Sequence, residues 1–176
     1  MLNVEGDNAL ILADKALDDD KYNTVQENVT WERNAVRSFL NGYGASANQM
    51  GINFSQSRNF LTTAFGGGQQ AAVFYSKVIQ GGSSNNASAS ARGNDTSDKV
   101  FLLSDDETYG TDKAKSYGFA LDRDSYDEAR RCKSSTYAKA MGSWGENEDD
   151  SYGGGCRWWL RSLSENSSDS AEYVFY

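Results

Sequence analysis

Hydrophobic positions along this chain fall in short runs separated by long polar stretches. Residues 9–13, Ala-Leu-Ile-Leu-Ala between Asn8 and Asp14, read as a buried strand. Leu2 and Val4 alternate with polar neighbours, which predicts a preceding strand and a hairpin turn at Glu5-Gly6-Asp7-Asn8. Beyond a polar connection the spacing becomes helical. Trp31, Ala35, Val36, Phe39 and Leu40 form one apolar face, with Thr30 as N-cap, Glu32 at the positive end and Gly42 as the left-handed C′ residue. Phe60, Leu61, Ala64 and Phe65 predict a short helical turn closed by Gly66-Gly67-Gly68. Residues 69–79 fit a helix that runs into a strand, and periodicity does not separate the two.

Residues 80–98 are rich in Gly, Ser and Asn and read as a surface loop inside the domain. A core strand is expected at 99–103. Ser104 and Glu107 have capping-box spacing, as do Ser125 and Glu128, and a helical segment is expected at 136–141. An acidic, glycine-rich loop at 144–155 precedes two strands, 156–160 and 173–176, which flank a polar turn at 164–169. There is no internal repeat. Strands and helices in this mixture predict an α+β fold in one domain, residues 1–176, decorated by long loops.

Composition sharpens this picture. Hydrophobic residues make up 38% of the 176 residues while aromatics reach 12%, so a few large rings must supply much of the burial. Proline is absent, which leaves turns to Gly, Asn, Asp and Ser. The net charge of −8 argues against a nucleic-acid partner, which requires a basic face. Acidic residues cluster at Asp18-Asp19-Asp20, at Asp105-Asp106-Glu107, and at Glu146 with Glu148-Asp149-Asp150. Each cluster offers oxygen ligands for a hard cation such as Ca2+, yet none has calcium-loop spacing, and solvated acidic loops are the plainer reading. The chain has no histidine, which removes Ser-His-Asp and Cys-His mechanisms and histidine-ligated zinc. Cys132 and Cys156 are equally compatible with one disulfide and with two separate thiols. No apolar run approaches the ~20 residues of a membrane span, so no membrane insertion by this segment is expected. Met1-Leu2-Asn3-Val4-Glu5 lacks the features of a signal peptide, so export would require a larger precursor.

The most unusual stretch is Cys156-Arg157-Trp158-Trp159-Leu160-Arg161-Ser162. On a strand, Trp158, Leu160 and Ser162 share one face while Arg157, Trp159 and Arg161 share the other. The second face sets an indole between two guanidinium groups, an arrangement suited to cation–π contact and to a platform for a sugar ring or another flat polar ligand. Packing is the plainer reading for an aromatic strand. Around Trp31, Glu32 and Arg37 lie five apart and do not face each other. Arg33 and Arg37 share a face, which predicts a carboxylate partner elsewhere.

The ordered combination resembles a bacterial domain-of-unknown-function family seen mostly in gut Firmicutes. The residues that carry the resemblance are the 9–13 strand, Tyr22-Asn23, Thr30-Trp31-Glu32-x4-Arg37-x2-Leu40-Asn41, Phe60-x4-Phe65, Asp98 through Ser104 with Glu107, and Trp158-Trp159-Leu160-Arg161-Ser162. It spans nearly the whole chain. It implies a C-type-lectin-like fold, kin to formylglycine-generating enzymes, with a small twisted antiparallel sheet, two main helices and long irregular loops. Trp31, Glu32, Arg37, Asn41, Trp158, Leu160 and Ser162 are then structural markers, and Arg157, Trp159 and Arg161 remain as candidate ligand-binding residues. The resemblance further implies a secreted or cell-surface setting within a larger protein. It also implies a domain clipped at both ends, because the family begins a strand earlier and continues past Tyr176. The expected function is a non-catalytic binding or adhesion module for a glycan or protein ligand. The alternatives are a formylglycine-generating-type oxidase using Cys132 and Cys156, and a purely structural domain.

Overall fold

A computed structural model describes residues 1–56, 58–80, 92–109, 111–119, 122, 123, 125–143, 155–164 and 167–174. The architecture is mixed α+β, as the pattern of short runs implies. The described strands form separate two-stranded ribbons, β1 (Asn3–Glu5) with β2 (Asn8–Leu10), β3 (Lys15–Ala16) with β6 (Lys133–Ser134), β4 (Ser76–Val78) with β5 (Thr96–Asp98), and β7 (Trp158–Ser164) with β8 (Ser167–Val174). The described helices are α1 (Ala35–Asn41), α2 (Phe60–Ala64), α3 (Gly67–Ala72), α4 (Asp112–Ser116) and α5 (Thr136–Met141). No described helix is long and apolar enough to cross a membrane. The chain is organised as two compact units, one of residues 1–20, 103–160 and 173–176, the other of 21–102 and 161–172.

In the first unit, β1 and β2 form the expected antiparallel hairpin, with Asn3 opposite Leu10 and Glu5 opposite Asn8. The 9–13 run is not a buried strand, however. It leaves the ladder after Leu10, and Ile11 is 77% exposed. From this region Leu2 and Leu12 pack on the core of Leu103, Tyr109, Ala114, Phe119, Leu160 and Val174. The Ser104 capping box forms, with the Glu107 carboxylate accepting from Ser104 N–H at 3.0 Å, but it closes a turn rather than opening a regular helix. Helix α4 starts later, where Thr111 Oγ1 accepts from Ala114 N–H at 3.1 Å. At the second Ser-x-x-Glu it is Asp127, not Ser125, that caps a short 3-10 turn at Glu128–Arg130. Helix α5 falls where expected, capped by Ser135 and ended by Gly142.

In the second unit, the apolar face of α1 packs as its periodicity predicts, with Val36 joining Tyr22, Val29, Trp31 and Val78 in the core. Its start differs from the expectation. Trp31–Arg33 is a separate 3-10 turn, and Asn34, whose side chain accepts from Arg37 N–H at 2.7 Å, is the N-cap. Thr30 makes no cap hydrogen bond. Its side chain instead lies against Gly93, so closely that a Cβ on that glycine would sit 2.7 Å from Thr30 Cβ. Gly42 takes the left-handed conformation at φ 66 and ends α1 as predicted. The three glycines do not close α2. The chain extends at Phe65, and α3 begins at Gly67, with the Gln69 side chain accepting from Gly66 N–H at 2.9 Å.

The strand expected at 99–103 does not form. Asn41 Oδ1 accepts from Lys99 N–H at 2.9 Å and Val100 N–H at 3.1 Å, while its amide donates to Val100 O at 2.8 Å. One side chain thus satisfies the backbone that a neighbouring strand would have paired. The last two expected strands form in part: β7 begins at Trp158, leaving Cys156 and Arg157 outside it, β8 covers Tyr173 and Val174, and both extend into the expected 164–169 turn from either side. Most of the 80–98 loop, residues 144–154 of the acidic loop and residues 165 and 166 lie outside the described residues, as do Phe175 and Tyr176.

Candidate functional site

The strand singled out by its sequence, β7, belongs to the first unit through Leu160 and to the second from Arg161 onward. Its burial does not alternate. Leu160 is fully buried in the first core, and the next residue, Arg161, is only 3% exposed. The Arg161 guanidinium donates to Leu102 O at 2.7 Å and Ile79 O at 3.0 Å, and lies 6.0 Å from the centre of the Phe101 ring. Arg161 therefore does not share an exposed face with Arg157 and Trp159. Where consecutive strand residues are both buried, period two no longer sorts inward from outward side chains.

Arg157 and Trp159 do reach the surface of the first unit. Trp159 is 37% exposed, and its indole N–H donates to Asp20 O at 3.2 Å. Tyr173 on β8 meets it edge-on, with ring centres 6.0 Å apart and planes at 86°. The Arg157 guanidinium lies 5.2 Å from the centre of the Tyr173 ring. The result is a fixed, half-exposed pair of rings with a cation against one of them. In the acidic run that ends at Asp20, the Asp19 carboxyl is pushed above its ordinary value by partial burial and by the carboxylates of Asp20 and Asp18. Tyr173 is the member that sequence reading missed. The available signal was its place in an apolar run whose strand partner carries Trp159.

The structural markers act as a frame. Trp158 donates its indole N–H to Arg130 O at 3.1 Å. In the second unit, buried Asp98 accepts from Trp31 Nε1 at 3.1 Å, Arg37 Nε at 2.9 Å, Thr96 Oγ1 at 2.6 Å and the Tyr43 hydroxyl at 2.9 Å. Asp98 is thus the carboxylate partner that the Arg33/Arg37 face predicts. Arg33 itself donates to Ser46 O at 3.0 Å. Glu32 and Arg37 meet through backbone, the guanidinium donating to Glu32 O at 2.8 Å, while the Glu32 carboxylate holds Asn94. Ser162 is half-buried on β7.

The two cysteines converge in the first unit. Cys156 N–H donates to Cys132 O at 2.7 Å, and Cys156 is fully buried while Cys132 is half-buried. Both are in the thiol form. A hydrogen bond between the two thiols, reinforced by burial, pushes the Cys132 thiol above its ordinary value.

Among the described residues, no group of three or more His, Cys, Asp or Glu side chains is placed to hold a metal ion. Asp105 of the second acidic cluster is buried and ion-paired with Arg123, which removes it from the Ca2+ ligands that its sequence suggests. The third cluster lies outside the described residues.

No curated protein and no solved structure matches the chain. The sequence model of one family matches residues 6–176, which takes in both units, the ring pair and the Asp98 hub. On that span the chain belongs to the family described as a domain of unknown function, DUF6273.

Proposed function

We propose that this protein is a non-catalytic binding module in which Trp159, Tyr173 and Arg157 form the contact surface for a glycan. The observation that carries the reading is an indole 37% exposed yet held in place by a hydrogen bond and an edge-on ring. A fixed aromatic needs little further ordering on binding, so its ring face can stack on the apolar face of a sugar at low entropic cost. Arg157 supplies donors for hydroxyl groups beside it. Kinship with C-type-lectin-like folds, implied by the sequence resemblance, supports the same reading. The resemblance also supports an exported setting, within a larger bacterial surface protein. Fold kinship sets the expectation, and the ring pair carries the assignment.

A structural-domain reading fits Arg161, which is buried and hydrogen-bonded, but leaves the exposure of Trp159 without a reason. The two-cysteine oxidase reading gains the contact between Cys132 and Cys156. It needs a thiolate that reacts fast at neutral pH, whereas Cys156 is fully buried and the Cys132 thiol is pushed above its ordinary value. A glycan array with the wild type and Trp159→Ala tests the proposal. The expected result is a wild-type signal on a defined glycan class, weakened at least tenfold in the variant with little change in Tm. A blank wild-type array, or equal binding by the variant, overturns it.

A further inference from the structure

We propose that Cys132 and Cys156 are the two halves of an internal disulfide, formed by thiol–disulfide exchange with a low-molecular-weight disulfide. The backbone at the two positions is already joined by a 2.7 Å hydrogen bond from Cys156 N–H to Cys132 O. The Cys156 thiol is also the main influence holding the proton on Cys132, as a neighbouring thiol would be. Two cysteines on directly hydrogen-bonded backbone need little movement to reach bonding geometry.

Burial assigns the order of steps. Cys132, half-buried, is the thiol that an external reagent reaches, and Cys156, fully buried, is the one that resolves. The Cys132 thiolate attacks one sulfur of the reagent, whose S–S bond breaks and releases a thiolate. The Cys156 thiolate then attacks the Cys132 sulfur of this mixed disulfide and expels the second reagent thiolate. The protein loses two electrons and two protons, and the reagent is reduced to two thiols. Because the Cys132 thiol holds its proton tightly, the first attack is slow at neutral pH and faster as pH rises. That behaviour suits a structural bond better than a catalytic one. The bond closes a loop of about 25 residues, which narrows the unfolded ensemble. It also fastens the chain immediately before Arg157 and Trp159, although the inference does not depend on their role.

The test uses the full chain in oxidised and reduced glutathione, with reduced thiols counted by maleimide labelling and linkages mapped by peptide mass spectrometry. The expected result is loss of both thiols together and one cross-linked peptide pair holding Cys132 and Cys156. A rise in Tm of about 10 °C over the reduced protein should follow, and Cys132→Ala should not show it. Persistent glutathione adducts, cross-links between chains, thiols that stay reduced, or an internal bond that lowers Tm would each overturn the proposal. The labelling needs only the wild-type chain, so a variant that fails to fold does not block it.

Discussion

Asp98→Ala removes one side chain on which four others depend. The carboxylate is fully buried and accepts from Trp31, Arg37, Thr96 and Tyr43, and the Arg37 side chain paired with it is only 12% exposed. Removing one partner of a buried ion pair costs about 3–5 kcal/mol, because the other charge stays desolvated. The orphaned Trp31 N–H alone is worth about 1–3 kcal/mol, but it shares the same cavity, so the two terms overlap rather than add. We expect a loss of about 4 kcal/mol, a large part of the stability of a typical domain. For a chain of this length that is a fall in Tm of about 8–16 °C. Urea unfolding at neutral pH, followed by tryptophan fluorescence, measures it directly. Arg37→Met combined with Asp98→Leu removes both charges and should be less damaging than Asp98→Ala alone. A loss below about 1 kcal/mol for Asp98→Ala, or a double variant worse than the sum of its parts, would show that Asp98 does not organise this core.

Alkaline pH should destabilise the second unit through Tyr22, whose phenol is pushed above its ordinary value by burial. The folded state then holds the proton more tightly than the unfolded one. The contribution is complete below about pH 10 and is lost as pH rises beyond it, by up to about 1.4 kcal/mol per pH unit. Tyr22→Phe should flatten that slope in urea midpoints taken across this range, and an unchanged slope would count against the assignment. Two glycines with positive φ should respond differently to alanine. Gly93 has φ 79 and a Cβ there would meet Thr30, whereas Gly6 has φ 59 and open space around it. Gly6→Ala should cost about 1 kcal/mol and Gly93→Ala about 2–4 kcal/mol, and equal losses in thermal melts would refute the close approach.

The parts of this fold legible in the sequence are those set by local physics. The hairpin at Gly6, the apolar face of α1, its end at Gly42 and the position of α5 all follow from spacing and turn chemistry. What stays hidden depends on residues distant in sequence. Thr30 is a good N-cap by type, but Gly93 packs against its side chain and the role passes to Asn34. Residues 99–103 have the apolar content of a strand, yet Asn41 takes over the hydrogen bonds that a strand partner would make. A carboxylate for Arg37 is predictable in kind, but with 25 acidic residues its identity as Asp98 is not. At the candidate site, alternation correctly exposes Trp159 and fails two residues later, because Arg161 finds carbonyl partners in its own unit.

The division of β7 between the units bears on how a ribosome-bound chain can fold. The second unit is continuous from residue 21 to 102, yet the carbonyls of Ile79 and Leu102 are held by Arg161, and Ala171 covers part of its core. Those residues emerge only after the whole 103–160 segment has been synthesised, a wait of about 3–12 s at ordinary translation speeds. During that interval the nascent unit must carry an open seam, with carbonyls and apolar surface facing solvent. Closure is therefore a late, non-local step, the kind that slows folding and invites chaperone capture. Synonymous changes that slow translation between codons 103 and 160 should lower soluble yield without altering the finished protein.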